Sequence, residues 1–128
     1  MRSEAEQRNL DLVLEMFENV LRPLDSTHVD RYISPDYIQH SSLAEPGVAP
    51  LKAFLDFVHE RSPEATQTIH RSFVDGDHVI LHYHVKRFPD DPGMAVVDIF
   101  RVAGGKIVEH WDVIQEIVPG GPNPNSMF

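Results

Sequence analysis

The sequence predicts an α+β domain, with helices first and then an antiparallel sheet packed against them on one face. Two observations carry this. Residues 94–118 read MAVVDIFRVAGGKIVEHWDVIQEIV, with apolar and polar residues alternating on both sides of Ala103-Gly104-Gly105-Lys106. That is a pair of strands joined by a tight turn, in which Gly-Gly supplies the positive φ angles. In the first part of the chain, by contrast, apolar residues recur every three or four positions.

Leu10, Val13, Leu14, Phe17, Val20 and Leu21 lie on one face of a helix from Ser3 to about Leu21. Ser3 with Glu6 three places on is a capping-box pattern, and Pro23 ends the helix. Asp25 or Ser26 is expected to cap a short second helix through Val29, Tyr32 and Ile33, stopped at Ser34-Pro35. Tyr37-Ile38-Gln39-His40 is brief and extended, and SSLAEPGVAP is a loop. Pro50 suits the first position of a third helix bearing Leu51, Phe54, Leu55 and Val58 on one side, closed by Ser62-Pro63. Thr66–Val74 and Val79–Phe88 read as strands around the turn Asp75-Gly76-Asp77, ahead of the final pair.

At 128 residues the chain is expected to be one domain over residues 1–118, with residues 119–128 (PGGPNPNSMF) as a mobile tail. A net charge of −9 argues against nucleic acid or anionic lipid as partners. With no cysteine there is no thiol nucleophile or thiolate metal site. The start, MRSEAEQRNL, lacks the apolar core of a signal peptide, and no apolar run is long enough to span a membrane. A soluble, cytoplasmic protein is the expectation.

Asp98 stands among Val96, Val97, Ile99 and Phe100. A carboxylate there is costly to bury unless it is hydrogen-bonded or lines a wet pocket. Alternation puts Asp98 on one side with Val96 and Phe100, and Asp112 with His110 and Ile114. His82 and His84 share a side with Ile80. If Asp98, His84 and Asp112 all face the helices they converge in a half-open cavity, with His40 approaching from the loop above it. The His82-Tyr83-His84 pair is a weakly specific metal pattern, with no glutamate at a useful distance, so no metal or cofactor is expected. Neither a phosphate-cradling glycine loop nor a nucleophile elbow is present.

The element order, YIQH at 37–40, DIFRVAGGKIVEHWDVIQ at 98–115 and the spacing from His84 to Asp98 resemble the SnoaL-like group of the NTF2-like superfamily. The resemblance implies a cone in which three N-terminal helices pack on a strongly curved antiparallel sheet. That group includes polyketide cyclases that close a ring by intramolecular aldol condensation. By the same resemblance Asp98 matches the general acid/base aspartate, and His84 a histidine lining the same pocket. Tyr37, Gln39 and His40 match the segment bordering the cavity. These three, with His110 and Asp112, are the expected substrate-binding residues, and Asp98 and His84 the catalytic ones.

Limonene-epoxide hydrolases, another branch, carry two aspartates where Asp98 and Asp112 stand, but Val96 occupies the position of a required arginine, which weighs against epoxide hydrolysis. Burial disfavours a charged carboxylate and makes it a better base near neutral pH. The expected chemistry is therefore cofactor-free aldol-type cyclisation or isomerisation of a small hydrophobic or carbonyl-containing molecule. Two alternatives remain open: a binding module whose pocket only holds an apolar ligand, and an interaction protein. The resemblance also implies a homodimer through the outer sheet face, where Val97, Ile99, Trp111 and Val113 are the candidates.

Overall fold

The computed structural model describes residues 1–128. Helix α1 spans Glu4–Met16, and its start is the expected capping box: Ser3 Oγ accepts from the Glu6 amide while Glu6 accepts from the Ser3 amide. One turn of π-helix, Phe17–Leu21, follows, closed by the Arg22 amide on the Phe17 carbonyl at 2.7 Å. This wider turn holds Phe17 and Val20 in the core and leaves Leu21 facing the interior cavity. Leu24, just past Pro23, takes φ 53°, a conformation unusual for a branched side chain, and also faces the cavity.

The second helix, α2, is only Val29–Tyr32, shorter than expected. Asp25 does not cap it. Its carboxylate accepts from the Thr27 amide and hydroxyl instead, which makes a local turn and delays the helix. Helix α3 runs Val48–Arg61 after Gly47, whose φ of 103° suits glycine. Pro50 lies within the first turn of α3, where its missing N–H costs no helix bond, but two residues later than expected.

The sheet has five strands rather than four: β1 Ile33–Gln39, β2 Thr66–Asp75, β3 His78–Lys86, β4 Met94–Ala103 and β5 Lys106–Glu116. Their order is β1-β5-β4-β3-β2. Four are antiparallel neighbours, but β1 runs parallel to β5, so the sheet is mixed and a strand precedes the third helix. Ser34-Pro35 follows the end of α2 as expected but lies inside β1, because an edge strand accommodates a proline. The turn between β4 and β5 is as predicted, with φ 58° at Gly104 and 73° at Gly105. Lys106 Nζ ties that turn to α2, donating to the carbonyls of Asp30 and Arg31 at 2.8 Å.

One face of the sheet packs on α1 and α2 through Val79, Leu81, Tyr83, Val96, Phe100, Val102 and Ile107, against Val13, Met16, Phe17, Val20, Val29 and Tyr32. Pairing sets which residues of β3 share that face. Leu81 lies opposite Asp98, Tyr83 opposite Val96 and Val79 opposite Phe100. The odd-numbered residues of β3 therefore point inward, and His82 and His84 point to the outer face.

The outer face carries Val97 opposite Val113 and Ile99 opposite Trp111, as the alternation predicts. Val113 is 68% exposed. Residues 119–128 have no regular structure, yet the final ring, Phe128, lies against His70, His82 and His84 with centroids 4.5–5.2 Å apart. No helix is long and apolar enough to cross a membrane.

The loop between β3 and β4 is held by Asp91, whose carboxylate accepts from the Arg87 backbone, the Arg87 guanidinium and the Gly93 amide. Arg87 also donates to Glu116, which joins the loop to the end of β5. The Arg87 side chain, with the two backbone donors, holds the Asp91 carboxyl well below the usual carboxylate range. A lowered native pKa stabilises the fold above the unfolded value near 3.8, and this contribution is lost as pH falls below it. Asp91→Asn is therefore expected to lower the melting temperature at pH 7, with the gap to wild type narrowing below about pH 3. Thermal melts from pH 7 to pH 2.5 check this, and a gap independent of pH would contradict it.

Candidate active site

Between the inner sheet face, α3 and the loop after β1 lies a cavity of about 450 Å³. That is within the range of small-molecule pockets. Its wall is mostly apolar, with Leu21, Leu24, Leu51, Leu55, Val58, Val85, Met94 and Ile114 among the contributors. Leu43 and Phe54 stand at the rim and are largely exposed. Polar groups converge from β1, β3, β4 and β5: Tyr37, Gln39, Tyr83, Asp98, His110 and Asp112.

Asp98 is the centre of this group and is only 3% exposed. Its desolvation is offset by two partners. Tyr83 Oη donates to Oδ2 at 2.7 Å, and His110 Nε2 lies 3.1 Å from Oδ1. Both partners follow from the pleat. Tyr83 sits on the neighbouring strand one inward position from Leu81, and His110 faces Phe100, one inward position along from Asp98. Burial, and then the charge of Asp98, push the Tyr83 phenol well above its usual range, so it remains a donor at neutral pH.

On the far side of the imidazole, His110 Nδ1 lies 2.7 Å from Gln39 Oε1. Gln39 Nε2 donates to Tyr37 Oη at 3.2 Å, and Tyr37 Oη donates to the Gly47 carbonyl at 3.3 Å. Burial pushes the Tyr37 phenol up. Asp112 lies directly opposite Asp98 across the β4–β5 ladder and lines the same cavity. The donor atoms of Asp98, His110 and Asp112 all lie within 4.8 Å of one another, so these three are the residues that could hold a metal ion. His110 Nε2 already meets Asp98 Oδ1, so an ion held through that nitrogen would take the place of this contact.

Of the residues expected from sequence, Asp98, Asp112, His110, Gln39 and Tyr37 meet in this cavity. His84 and His40 do not. His84 is on the outer face, where Nε2 donates to the Pro92 carbonyl at 2.7 Å and the ring stacks on Phe128. It clips the β3–β4 loop at Gly93, where an added Cβ would come within 2.1 Å of the Val85 carbonyl and 2.8 Å of the His84 ring. His40 follows Gln39, so the strand turns it away from the cavity. It pairs with Glu109 at 2.6 Å and stacks on Trp111 with ring centroids 4.8 Å apart. Hydrogen bonding to His40, and then to Arg101, lowers the Glu109 carboxyl.

Tyr83 is the residue that sequence reasoning missed. The signal was present, because Val79, Leu81, Tyr83 and Val85 form the more apolar parity of β3, which marks the inner face.

Residues 13–110 match the model of the SnoaL-like domain. The chain belongs to the SnoaL-like domain family. No curated protein matches the sequence significantly. Solved structures with the same fold include a candidate polyketide cyclase from Bacillus cereus ATCC 10987, at TM-score 0.75 and 16% identity, covering 89% of this chain and 78% of that one. A candidate SnoaL-like polyketide cyclase from Jannaschia sp. CCS1 matches at TM-score 0.72 and 19% identity, over 89% and 90% of the two chains. AclR, a candidate hydroxylase from Streptomyces galilaeus, matches at TM-score 0.70 and 23% identity, over 87% and 81%. At these identities the likeness is one of fold. The NTF2-like α+β architecture expected from sequence is thus the observed one, with a short second helix and a parallel first strand.

Tyr83→Phe removes the only donor to Asp98 Oδ2 while keeping the ring in the core. The expected loss is about 1.5–3 kcal/mol of stability at pH 7, the usual worth of a hydrogen bond to a charged group. A raised native phenol pKa stabilises the fold below about pH 10, and this contribution is lost as pH rises past that value. Urea denaturation at pH 7 and pH 10.5 should therefore show the wild type losing more stability across that interval than Tyr83→Phe. Equal losses would show that this phenol does not carry the alkaline sensitivity.

Proposed function

We propose that this SnoaL-like domain is a cofactor-independent enzyme that moves a proton on a small hydrophobic carbonyl compound, with cyclisation or isomerisation as the outcome. Asp98 is its general acid/base. The observation supporting this reading is a single buried carboxylate at the polar end of an apolar cavity, held by a phenol on one oxygen and an imidazole on the other. Such a carboxylate removes a proton from carbon next to a carbonyl, leaving an enolate. In an aldol closure the enolate carbon then bonds to a second carbonyl carbon of the same molecule. The proton held by Asp98 passes to the alkoxide oxygen so formed. In an isomerisation it returns to a different carbon.

His110 takes the part that sequence reasoning gave to His84: its Nε2 meets Asp98 directly and lies where it can exchange a proton with it. Asp112 faces the same space and would orient a hydroxyl or a water. Val96 is buried in the wall where an epoxide hydrolase of this superfamily needs a cation, which disfavours that chemistry here.

Exchange of the α-hydrogens of a bicyclic aryl ketone such as 2-tetralone with D₂O, followed by NMR, tests the reading without knowledge of the natural substrate. The protein is expected to accelerate exchange, and Asp98→Asn to lose at least 100-fold of that acceleration, the low end of general acid/base catalysis. Undiminished exchange in Asp98→Asn would remove Asp98 from the mechanism. A ligand held unchanged would favour the binding-module reading, which the apolar wall also suits.

We further propose that two copies pair through the outer sheet face. Val97, Ile99, Trp111 and Val113 form an apolar patch there, with Val113 exposed, the other three half-buried, and the imidazoles of His40 and His78 beside Trp111. Light scattering is expected to give twice the 14.6 kDa of one chain, and a mass near 14.6 kDa would refute the pairing.

A further inference from the structure

We infer that Gln39 is a positioning residue that holds His110 in its Nδ1–H tautomer, so that the bare Nε2 faces Asp98. This deepens the acid/base reading of the same site and depends on it only for its purpose, since proton placement is measurable with no substrate present.

The protons are assigned outward from the backbone. The Ser41 amide, which can only donate, lies 3.0 Å from Gln39 Oε1, so that atom is the amide oxygen. Gln39 Nε2 then faces Tyr37 Oη, which accepts its proton and sends its own to the Gly47 carbonyl. An amide oxygen cannot donate, so at 2.7 Å the hydrogen between Gln39 Oε1 and His110 belongs to Nδ1. A neutral imidazole has one N–H, which leaves the Nε2 lone pair toward Asp98 Oδ1 at 3.1 Å. The other Asp98 oxygen already accepts from Tyr83.

The 3.1 Å contact between Asp98 Oδ1 and Nε2 therefore leaves a place for one proton between an oxygen and a nitrogen. Such a proton can pass between them and on to a substrate without any change at Nδ1. In the opposite tautomer two lone pairs would meet at 2.7 Å on the Gln39 side, and His110 could not accept from Asp98.

The groups facing His110 are Asp98 from β4, Asp112 from its own strand, the Phe100 ring at 4.9 Å, Tyr83 behind Asp98, and Tyr37 through Gln39. None is a cation that would hold the proton off Nε2. Ser41 and Gly47, which anchor the two ends of the relay, bracket the loop whose Leu43 and Ala44 line the cavity.

The test is long-range ¹H–¹⁵N NMR of the full, uniformly ¹⁵N-labelled protein at a pH where its histidines are neutral. His110 is identified as the ring missing from His110→Gln. Wild type is expected to show a pyrrole-type Nδ1 and a pyridine-type Nε2, the reverse of the tautomer that histidine prefers in water. Gln39→Glu, which keeps the acceptor oxygen, should retain that pattern. Gln39→Leu, which removes it, should lose the pattern and shift toward Nε2–H. An Nε2–H wild type, or an unchanged pattern in a folded Gln39→Leu, would overturn the assignment. If Gln39→Leu does not fold, wild type and Gln39→Glu decide alone. Failure of the Asp98→Asn exchange assay would leave this tautomer result standing, and a wrong tautomer would leave the Asp98 result standing.

Discussion

Everything at the polar end of the cavity depends on burying one carboxylate. A carboxylate as enclosed as Asp98 is tolerated only with hydrogen bonds to meet the lost water, and it has two, from Tyr83 and at His110. Meeting that need recruits neighbours from three strands. The phenol comes from β3, the imidazole from β5, and the imidazole in turn is met by Gln39 from β1. The fifth strand is therefore no mere edge. Without β1 running parallel to β5, the outer nitrogen of His110 would have no partner inside the protein.

The contrast between wall and floor suits the chemistry. The wall is hydrocarbon, so a ligand that enters sheds water, and electrostatic interactions at the floor strengthen as the local dielectric falls. Inside, the ionisable groups are two carboxylates, an imidazole and two phenols. The one cation on the lining, Arg87, is bound to Asp91 and Glu116. That set exchanges protons readily and offers little to an anionic substrate. The outer face is built differently. It carries Trp111, Val113, His40, His82 and His84, whose bonds and stacks tie down loops and the chain end.

Histidine was the least legible residue type. Its chemistry suits a site, a loop clip or an exposed surface, so identity alone assigns no role. The spacing to Asp98 puts His84 in the cavity, yet the register opposes Asp98 to Leu81, and a one-residue change of parity sends a strand side chain to the other face. The YIQH segment suggests His40 there beside Gln39, although adjacent residues of a strand cannot both face the same way. Tyr83 is hard to read for the opposite reason. An aromatic residue between two histidines reads as packing until its hydroxyl is seen to end on a carboxylate.

Local chemistry is what the chain alone decided. The Ser3–Glu6 cap, the Gly104-Gly105 turn and the inward run of Val96, Asp98 and Phe100 opposite His110, Asp112 and Ile114 each depend on residues near one another in sequence or across a two-residue turn. The pairing of β3 with β4 and the parallel addition of β1 depend on contacts between distant segments, and pattern does not encode those offsets. Pleating converts such an offset into a choice of face. Only the assembled sheet could therefore show that His110 and Tyr83, and not His84 and His40, meet Asp98.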